Sequence, residues 1–395
     1  MEGACGFPGK EIIKVKRLNP ELLRNNIEKT VKADIESGRV GGAAVKVMQN
    51  GETLYRADFG YSDCDSKTPL VSDTIFRLAS MTKPITAAAM LIQISRGLVD
   101  LFDPIEKFLP EYSELDIGVL DENKQVIRVG KARNKVRVLH LLTHSSGIGT
   151  LEVGDVQFAQ MKPENMQSIS AVVDYFSNAA IAFEPYLFQT YSPVVGFDIL
   201  ARIIEITSGV SYADFVKKEI FEPLGMHNTT CVPTEEQWQR MISMHNFVDG
   251  KGVSTDKDTR SVFGGFPTTY NCGGAGIAST AEDYSKFASM LLSGGEYNGV
   301  RILPEALVRS MGIPHIPETV MPCPEIWGLG VRVIVGDNTL PVGAYGWSGA
   351  YGTHFWIDPE NKIVAIYMKN SHYDGGAGAN TACAFEADVM NSFEN

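Results

Sequence analysis

An unusually apolar stretch between residues 75 and 93 constrains the fold of this chain more than any other feature of its sequence. A helix that is apolar on nearly all sides has to be buried on nearly all sides. Proline is tolerated only in the first turn of a helix, so Pro84 predicts that the helix begins at or just after Ser80. The chain must therefore build a core around this helix, with Ser80 at its N-terminus.

Strand patterns lie towards both ends of the chain, and helical patterns dominate between them. Near the start, two strand-like runs are joined by Asn50-Gly51, a pair that favours a tight hairpin turn. Near the end, three further strand-like runs predict an antiparallel meander. The predicted strand runs are 42–48, 53–59, 329–335, 345–357 and 362–368. The predicted helices are 18–38, 138–142, 168–178, 194–207, 281–292 and 377–393.

Strands at both ends with helices between them predict one sheet that is built from both ends of the chain. The predicted class is α+β, with an antiparallel sheet flanked by helices and a helical domain inserted into it. We expect a discontinuous sheet domain at 1–100 and 275–395 and a mainly helical domain at 101–274. With 395 residues, the chain is long enough for two such lobes.

The start of the buried helix carries a serine and a lysine three residues apart, in Ser80-Met81-Thr82-Lys83. On a helix this spacing puts both side chains on one face and within reach of each other. A serine hydroxyl needs a base to take its proton, and burial favours the neutral form in which a lysine acts as a base. The helix N-terminus favours the negative charge that develops at Ser80. The pattern points to a serine nucleophile with a lysine partner.

The serine–lysine spacing alone is a weak signal, because it occurs readily by chance. A second instance, Ser254-Thr255-Asp256-Lys257, lies in a polar stretch that is typical of a surface loop. In the alternative interpretation, Ser80 is an ordinary helix cap and Lys83 is a solvated first-turn residue. The wider sequence context decides between the two.

Around this motif the chain resembles the serine β-lactamases of class C, the penicillin-binding proteins and their carboxylesterase relatives. The resemblance runs in order through roughly residues 25 to 390. Its motifs are Phe76-Arg77-Leu78-Ala79-Ser80-Met81-Thr82-Lys83-Pro84, Gly97-Leu98-Val99-Asp100-Leu101, Leu141-Leu142-Thr143-His144-Ser145-Ser146-Gly147, Phe221-Glu222-Pro223-Leu224-Gly225-Met226, Gly273-Gly274-Ala275-Gly276 and Trp347-Ser348-Gly349. The resemblance implies a β-lactamase/transpeptidase-like fold and acyl transfer through an acyl-enzyme on Ser80.

The second motif of this family is a tyrosine followed two positions later by an asparagine, and Tyr191-Ser192-Pro193 stands in its place before a predicted helix. The resemblance implies that Tyr191 relays a proton between the nucleophile, Lys83 and the leaving group. In the alternative interpretation, Tyr191 is a half-buried core aromatic. Pro193 departs from the family pattern, because it has no side-chain amide to hold the amide of a substrate. This departure disfavours amide and lactam substrates.

The third motif of the family, most often Lys-Thr-Gly on the edge strand of the sheet, corresponds to Trp347-Ser348-Gly349. The resemblance implies that Gly349 lets a substrate lie along the strand and that the backbone N–H groups of Ser80 and Ala350 form the oxyanion hole. Trp347 replaces a cation that would bind a substrate carboxylate, which favours neutral esters. In the alternative interpretation, Trp347 is an ordinary buried aromatic beside a strand bulge.

Two other patterns suggest different chemistry. Residues 346–350 nearly match the Gly-x-Ser-x-Gly elbow of α/β-hydrolases, which would make Ser348 the nucleophile. That fold needs an acid and then a histidine downstream, whereas few residues follow and both flanks of Ser348 predict strands. His140 and His144 have helical spacing, but they lack a zincin glutamate and a third ligand. They predict a tied-down loop and no metal site.

Charge and composition exclude several classes of partner. The chain has 35 lysines and arginines against 47 acidic residues, a net charge of -12, which disfavours nucleic acids and anionic membranes. No segment predicts a transmembrane helix or a signal peptide. The six cysteines form no C-x-x-C pair, so we expect thiols in the cytoplasm unless a signal peptide has been removed. We expect no metal and no cofactor.

Together these features predict a serine hydrolase that acts on small carboxylic esters through an acyl-enzyme at Ser80. Whether Lys83 or Tyr191 is the general base stays open, and the two can titrate as a coupled pair. One alternative is a β-lactamase or D-amino-acid peptidase. The other is a silent homologue that binds or is acylated without turnover. The expected partner is a small ester or lactam, and the oligomeric state is not predicted.

Overall fold

The computed structural model describes residues 15–255, 260–316 and 325–394. The helices of this part of the chain are α1 (Pro20–Glu36), α2 (Thr82–Ser95), α3 (Val138–Leu142), α4 (Leu151–Ala159), α5 (Ile169–Ser177), α6 (Val195–Ser208), α7 (Tyr212–Val216), α8 (Glu235–Gln239), α9 (Ala281–Leu292), α10 (Glu305–Met311) and α11 (Asn380–Met390). Its strands are β1 (Gly42–Gln49), β2 (Glu52–Asp63), β3 (Thr68–Pro69), β4 (Phe76–Arg77), β5 (Asp116–Leu120), β6 (Val126–Lys131), β7 (Met244–Val248), β8 (Lys251–Thr255), β9 (Ala278–Ser279), β10 (Glu296–Tyr297), β11 (Val300–Arg301), β12 (Glu325–Trp327), β13 (Arg332–Ile334), β14 (Tyr345–Ser348), β15 (His354–Asp358) and β16 (Ile363–Met368).

The main sheet joins strands from both ends of the chain, as predicted. Within the described ranges its order is β12-β13-β14-β15-β16-β1-β2-β3, and the neighbouring strands are antiparallel. The central pair is β1 with β16, in the register that places Ala44 opposite Met368. The hairpin between β1 and β2 turns at Asn50-Gly51, where both residues have positive φ, as the favoured turn requires. The predicted α+β class is confirmed.

The two faces of the sheet pack against different helices, because successive side chains of a strand point to opposite faces. Phe355 belongs to the core shared with α2 and α9, where its ring lies 5.0 Å from that of Tyr284. Its neighbour Trp356 belongs to a second core with α1 and α11. On that same face, the ring of Tyr367 lies 5.7 Å from that of Phe385 in α11. The sheet therefore separates two distinct cores.

The apolar helix α2 is buried, as its composition predicts. Every residue from Thr82 to Gln93 is buried, and the helix packs against α6. A single 3-10 turn, Ala79–Met81, precedes it, so Ser80 lies in the turn that leads into the helix. Pro84 occupies the first helical turn, where its missing N–H leaves no hydrogen bond unmade. The predicted helix start is confirmed.

Two expectations about the strands near Trp347 are wrong. The run 345–357 is not one strand, because a turn from Gly349 to Thr353 divides it into β14 and β15; Gly349 N–H donates to Thr353 O, and Gly352 has a φ of +89°. Nor is β14 an edge strand, since it lies between β13 and β15. Its pairing with β13 ends at Gly346, however, so the following residues pair with β15 alone.

The long region between the two parts of the sheet contains helices at the predicted places, including α3, α5 and α6. It also contains two strand pairs, β5 with β6 and β7 with β8, that the helical patterns did not predict. The division into domains at 1–100, 101–274 and 275–395 remains a prediction. Within the described ranges, no helix is both long and apolar enough to cross a membrane.

Candidate active site

Ser80 lies on a strained turn at the start of α2. The residue before it, Ala79, has a φ of +46°, a left-handed conformation that side chains with a Cβ seldom adopt. Ser80 is 8% exposed. A strained backbone is maintained only where surrounding contacts fix it, and such strain is concentrated at functional sites. The strain marks this turn as a candidate for chemistry.

Lys83 is completely buried and contacts the hydroxyl of Ser80. Its Nζ lies 3.2 Å from Ser80 Oγ, 2.6 Å from the carbonyl oxygen of Pro193 and 3.0 Å from that of Gly274. The Nζ donates to all three of these oxygens. Pro193 thus supplies a backbone carbonyl at the place where the family pattern has a side-chain amide.

Tyr191 approaches the same hydroxyl from the segment before α6. Its phenol donates to Ser80 Oγ at 2.6 Å, and the indole N–H of Trp347 donates to the Tyr191 oxygen at 3.3 Å. Trp327 stacks on Tyr191 with ring centroids 5.8 Å apart. The structure therefore brings the predicted Ser80, Lys83 and Tyr191 together and adds Trp347 as a donor to the tyrosine.

The end of β14 lies against the turn that carries Ser80. A Cβ on Gly349 would lie 2.1 Å from the carbonyl oxygen of Leu78, and Thr353 Oγ1 donates to that oxygen at 2.8 Å. The space left by Gly349 is thus filled by the chain itself, whereas the sequence predicted room for a substrate. Among the described residues, the backbone hydrogen bonds that lie outside helices and strands include none from the N–H of Ser80 or of Ala350.

Ser348 belongs to a separate network on the opposite face of the sheet. Its Oγ lies 2.8 Å from Nδ1 of His354, whose Nε2 lies 3.0 Å from Oε1 of Glu386, although the ring N–H does not point directly at that oxygen. Arg332 donates to the same Glu386 oxygen at 2.8 Å. All four side chains are buried, and Glu386 lies in α11. The α/β-hydrolase interpretation is wrong, because the α/β-hydrolase fold has a mostly parallel sheet, whereas the strands around Ser348 are antiparallel.

A buried aspartate that sequence reasoning missed supports the Lys83 site. Asp198 in α6 is completely buried and accepts from the Tyr270 hydroxyl and, at 2.7 Å, from the N–H of Gly273. It therefore fixes the segment whose next carbonyl, at Gly274, accepts from Lys83. Burial raises the pKa of Asp198 to about 6, although these hydrogen bonds oppose the shift. The available signal was one aspartate within the apolar run 194–204.

Of the two histidines with helical spacing, His140 caps its own helix and His144 holds the segment before α6; neither side chain bonds directly to the loop of Ser145-Ser146-Gly147. His140 Nδ1 accepts from the N–H of Arg137 at 3.2 Å, and His144 Nδ1 accepts from the N–H of Ser192 at 3.0 Å. Burial lowers the pKa of His144 well below its ordinary value, so the ring is neutral at pH 7. In the part of the chain that the structure describes, no group of three His, Cys, Asp or Glu side chains is placed to hold a metal ion.

The second serine–lysine pair is only partly within the described residues. Ser254 lies in β8. Its hydroxyl donates to Asp63 Oδ1 at 2.8 Å and accepts from the N–H of Cys64 at 2.9 Å. Lys257 lies outside the described residues. Ser254 makes these contacts with β2 and none of the contacts that surround Ser80.

Proteins of related sequence and fold are known. A family model described as Beta-lactamase matches residues 27–387. The Mycobacterium tuberculosis protein Rv1367c is 28% identical over 84% of this chain and 86% of its own length. Esterase EstB of Burkholderia gladioli is 26% identical over 88% of this chain and 91% of its own. The solved structure of EstCE1, titled a hydrolase with promiscuous acyltransferase activity, has a TM-score of 0.78 at 21% identity, covering 94% of this chain and 99% of that one.

Proposed function

The chain belongs to the beta-lactamase family, and from that premise we propose that it is a serine hydrolase in which Ser80 is acylated by small carboxylic esters. The observation that carries the proposal is the convergence of two proton-carrying side chains on one hydroxyl. Tyr191 Oη and Lys83 Nζ lie 2.6 Å and 3.2 Å from Ser80 Oγ. A serine without such partners is a poor nucleophile.

The proposed reaction begins with attack of Ser80 Oγ on the ester carbonyl. The hydroxyl proton passes to Lys83 or to a deprotonated Tyr191, and the negative charge on the carbonyl oxygen is stabilised by the N–H groups of Ser80 and Ala350. The same proton then moves to the departing alkoxide, which leaves Ser80 acylated. A water molecule, deprotonated by the same pair, attacks the acyl carbon. The bond from that carbon to Ser80 Oγ breaks, the proton passes from the pair to Oγ, and the acid is released.

Trp347 supports a role for Tyr191 in this proton transfer. A hydrogen bond to the ionised form of a group favours that form. The indole N–H of Trp347, 3.3 Å from the phenol oxygen, would donate to a phenolate as it forms. It would do so without placing a positive charge in the site. We therefore propose that Trp347 assists the tyrosine and does not bind a substrate carboxylate.

Two features support ester substrates over lactams. Pro193 offers no side-chain amide, and its backbone carbonyl is occupied by Lys83. Trp347 offers an aromatic surface, packed against Trp327 with ring centroids 4.4 Å apart, in place of a cation. A site without partners for an amide and a carboxylate gains little from a substrate that carries them. EstB, one of the similar proteins, is named as an esterase.

The test is side-by-side turnover of p-nitrophenyl butyrate, nitrocefin and a D-Ala-D-Ala peptide on one enzyme preparation. We expect kcat/KM for the aryl ester to exceed that for nitrocefin by at least about 10², or roughly 2.7 kcal/mol of transition-state preference. The Ser80→Ala variant provides the blank. A preference for nitrocefin or the peptide would favour the first alternative, a β-lactamase or D-amino-acid peptidase. Acylation without turnover of any of the three would favour a silent homologue.

A further inference from the structure

A loop at residues 261–274 is tied at both ends to the proposed active site. At its start, the guanidinium of Arg77 donates to the carbonyl oxygen of Ser261 at 2.9 Å, and Arg77 ends β4 just before the turn that carries the nucleophile. At its end, the carbonyl oxygen of Gly274 accepts from Lys83 at 3.0 Å. Both ends of the loop are therefore held by the segment that carries the proposed nucleophile.

Aromatic rings of this loop form a continuous row. The ring centroids of Phe263 and Phe266 are 5.9 Å apart. The Phe266 ring lies 5.1 Å from that of Tyr270 and 6.1 Å from that of Phe158 in α4. Tyr270 is buried and donates to Asp198, so the row is anchored in the core. Phe263 and Phe266 are only partly buried, so their rings keep some apolar surface in contact with solvent.

The row also contacts the residue that follows the proposed oxyanion hole. Tyr351 comes directly after Ala350 and is partly exposed, and its ring lies 5.5 Å from that of Phe263. The N–H of Gly264, the next residue of the loop, donates to the Tyr351 hydroxyl at 2.9 Å. The Phe263 ring is therefore held by two contacts beside the segment that carries one of the proposed oxyanion donors.

The proposed proton transfer defines how an ester lies in the site. The departing alkoxide receives its proton from the pair that contacts the nucleophile, so the alcohol part has to lie within reach of Tyr191. Trp347 lies on that same side, since its indole N–H donates to the Tyr191 oxygen at 3.3 Å. The acyl substituent leaves the trigonal carbonyl carbon in a different direction. We expect it to extend away from Tyr191, past Ala350 and towards Tyr351.

We propose that Phe263 and Tyr351 form an aromatic surface for the acyl group of the substrate, so that the enzyme prefers esters whose acyl group carries an aromatic ring. This inference rests on the proposed function of Ser80. Aromatic rings that pack edge-on or offset gain more than the burial of their apolar area alone. Binding of a part of the substrate away from the reacting carbon raises kcat/KM when the contact is kept in the transition state.

The test compares the p-nitrophenyl esters of acetic, hexanoic and phenylacetic acid on the intact protein. The three share one leaving group, so only the acyl side differs between them. Each kcat/KM is divided by the rate constant for hydroxide-catalysed hydrolysis of the same ester, which removes differences in intrinsic reactivity. We expect this corrected value for phenylacetate to exceed that for acetate by at least about tenfold and that for hexanoate by about threefold or more.

The outcomes separate this inference from the proposed function. Equal or higher efficiency with the hexanoate ester would overturn the inference, because burial of apolar area alone would then account for binding. Turnover of the acetate ester without an advantage for phenylacetate would also overturn it and leave the proposed function standing. No turnover of any of the three would overturn the proposed function, and this inference with it. The comparison needs no variant, so it does not depend on how a substitution folds.

Substitution of Phe263 then locates the preference. We expect Phe263→Ala to reduce the advantage of phenylacetate over acetate to about threefold or less, whereas Phe263→Tyr, which keeps the ring, should retain it. Phe102→Ala is the matched control, because Phe102 is 60% exposed and has no part in the row. Fluorophosphonate labelling of Ser80 reports that each variant is folded. If Phe263→Ala were labelled and kept the full advantage, the acyl group would bind elsewhere and the proposal would be wrong.

Discussion

Two buried serines on opposite faces of the sheet have titratable partners, and only one has the surroundings of a nucleophile. Ser348 contacts a histidine that contacts a glutamate, the residue types of a familiar hydrolytic triad. Ser80 contacts a lysine and a tyrosine. Judged by partner types alone, Ser348 would be as good a candidate as Ser80.

The difference lies in the backbone and in what covers it. Ser80 follows the strained Ala79 and lies in the turn that leads into α2, where the end of β14 contacts it. Ser348 lies in a regular strand, and the network of its side chain is closed by Glu386 of α11. Partners that can move a proton are therefore not sufficient. A nucleophile also needs room for the carbonyl it attacks and donors for the charge that develops.

Exchanging each serine for alanine tests this contrast most strongly. We expect Ser80→Ala to lower kcat for an aryl ester by about 10³ or more, as is typical for loss of a nucleophile. Ser348→Ala should retain turnover within a few-fold. Fluorophosphonate labelling followed by peptide mapping checks both variants. Labelling at Ser348, or labelling that persists in Ser80→Ala, would reverse the assignment of the two faces.

The reverse-face network should matter for stability instead. We expect Glu386→Gln to lower the free energy of unfolding by about 3 kcal/mol, because it breaks the buried ion pair between Arg332 and Glu386. The kcat should change little. Denaturant unfolding measures the first quantity and ester turnover the second. A stable Glu386→Gln protein that had lost turnover would show that the two faces are coupled.

Substitution of the proton partners should affect chemistry and spare the fold. We expect Lys83→Ala and Tyr191→Phe each to lower kcat by about 10² or more, the usual scale of general acid–base assistance. Circular dichroism should show that both variants are folded. His144→Ala serves as the matched control, because it removes the Ser192 contact and should reduce stability more than turnover. Near-normal turnover in both Lys83 and Tyr191 variants would require another base.

The two buried carboxylates should respond to pH in opposite directions. Burial alone would raise the pKa of Glu386, but its contacts with His354 and Arg332 lower it, so its stabilising contribution is present above pH 4.5 and is lost as pH falls further. The pKa of Asp198 is raised to about 6, so its charge destabilises the fold above pH 6. As pH falls from 7 to 5, wild type should gain about 1 kcal/mol relative to Asp198→Asn. Unfolding of both proteins at the two pH values measures it.

Relief of the strain before Ser80 should have the smallest effect. Glycine adopts the left-handed conformation of residue 79 without the steric penalty of alanine, so Ala79→Gly should change the free energy of unfolding by no more than about 1 kcal/mol. We expect a small gain in stability, measured by denaturant unfolding. The partly buried helical residue Ala213 provides a control, where the same change should destabilise. A large loss in Ala79→Gly would mean that the turn needs the alanine side chain.

Sequence patterns predicted the sheet from both chain ends, the buried helix and the grouping of Ser80 with Lys83. Each of these rests on the periodicity or spacing of residues that are close together in the sequence. They did not predict the partners that come from elsewhere in the chain. The carbonyls of Pro193 and Gly274 hold Lys83, and every residue has a carbonyl, so no residue type signals this role. The contact of His354 with Glu386 joins a strand to the last helix, which only the assembled fold reveals.

The pairing of β1 with β16 also has a consequence for how the chain folds. Ala44 and Met368 are opposite each other, and the N–H of Asn19 donates to the carbonyl of Ser392. Contacts between such distant positions carry a large loop-closure entropy, and folding slows as the mean sequence separation of contacts rises. During synthesis the β1–β2 hairpin leaves the ribosome long before its central partner, with its inner edge unpaired. Until β16 arrives, that edge is open to other strands, so aggregation of nascent chains should begin there.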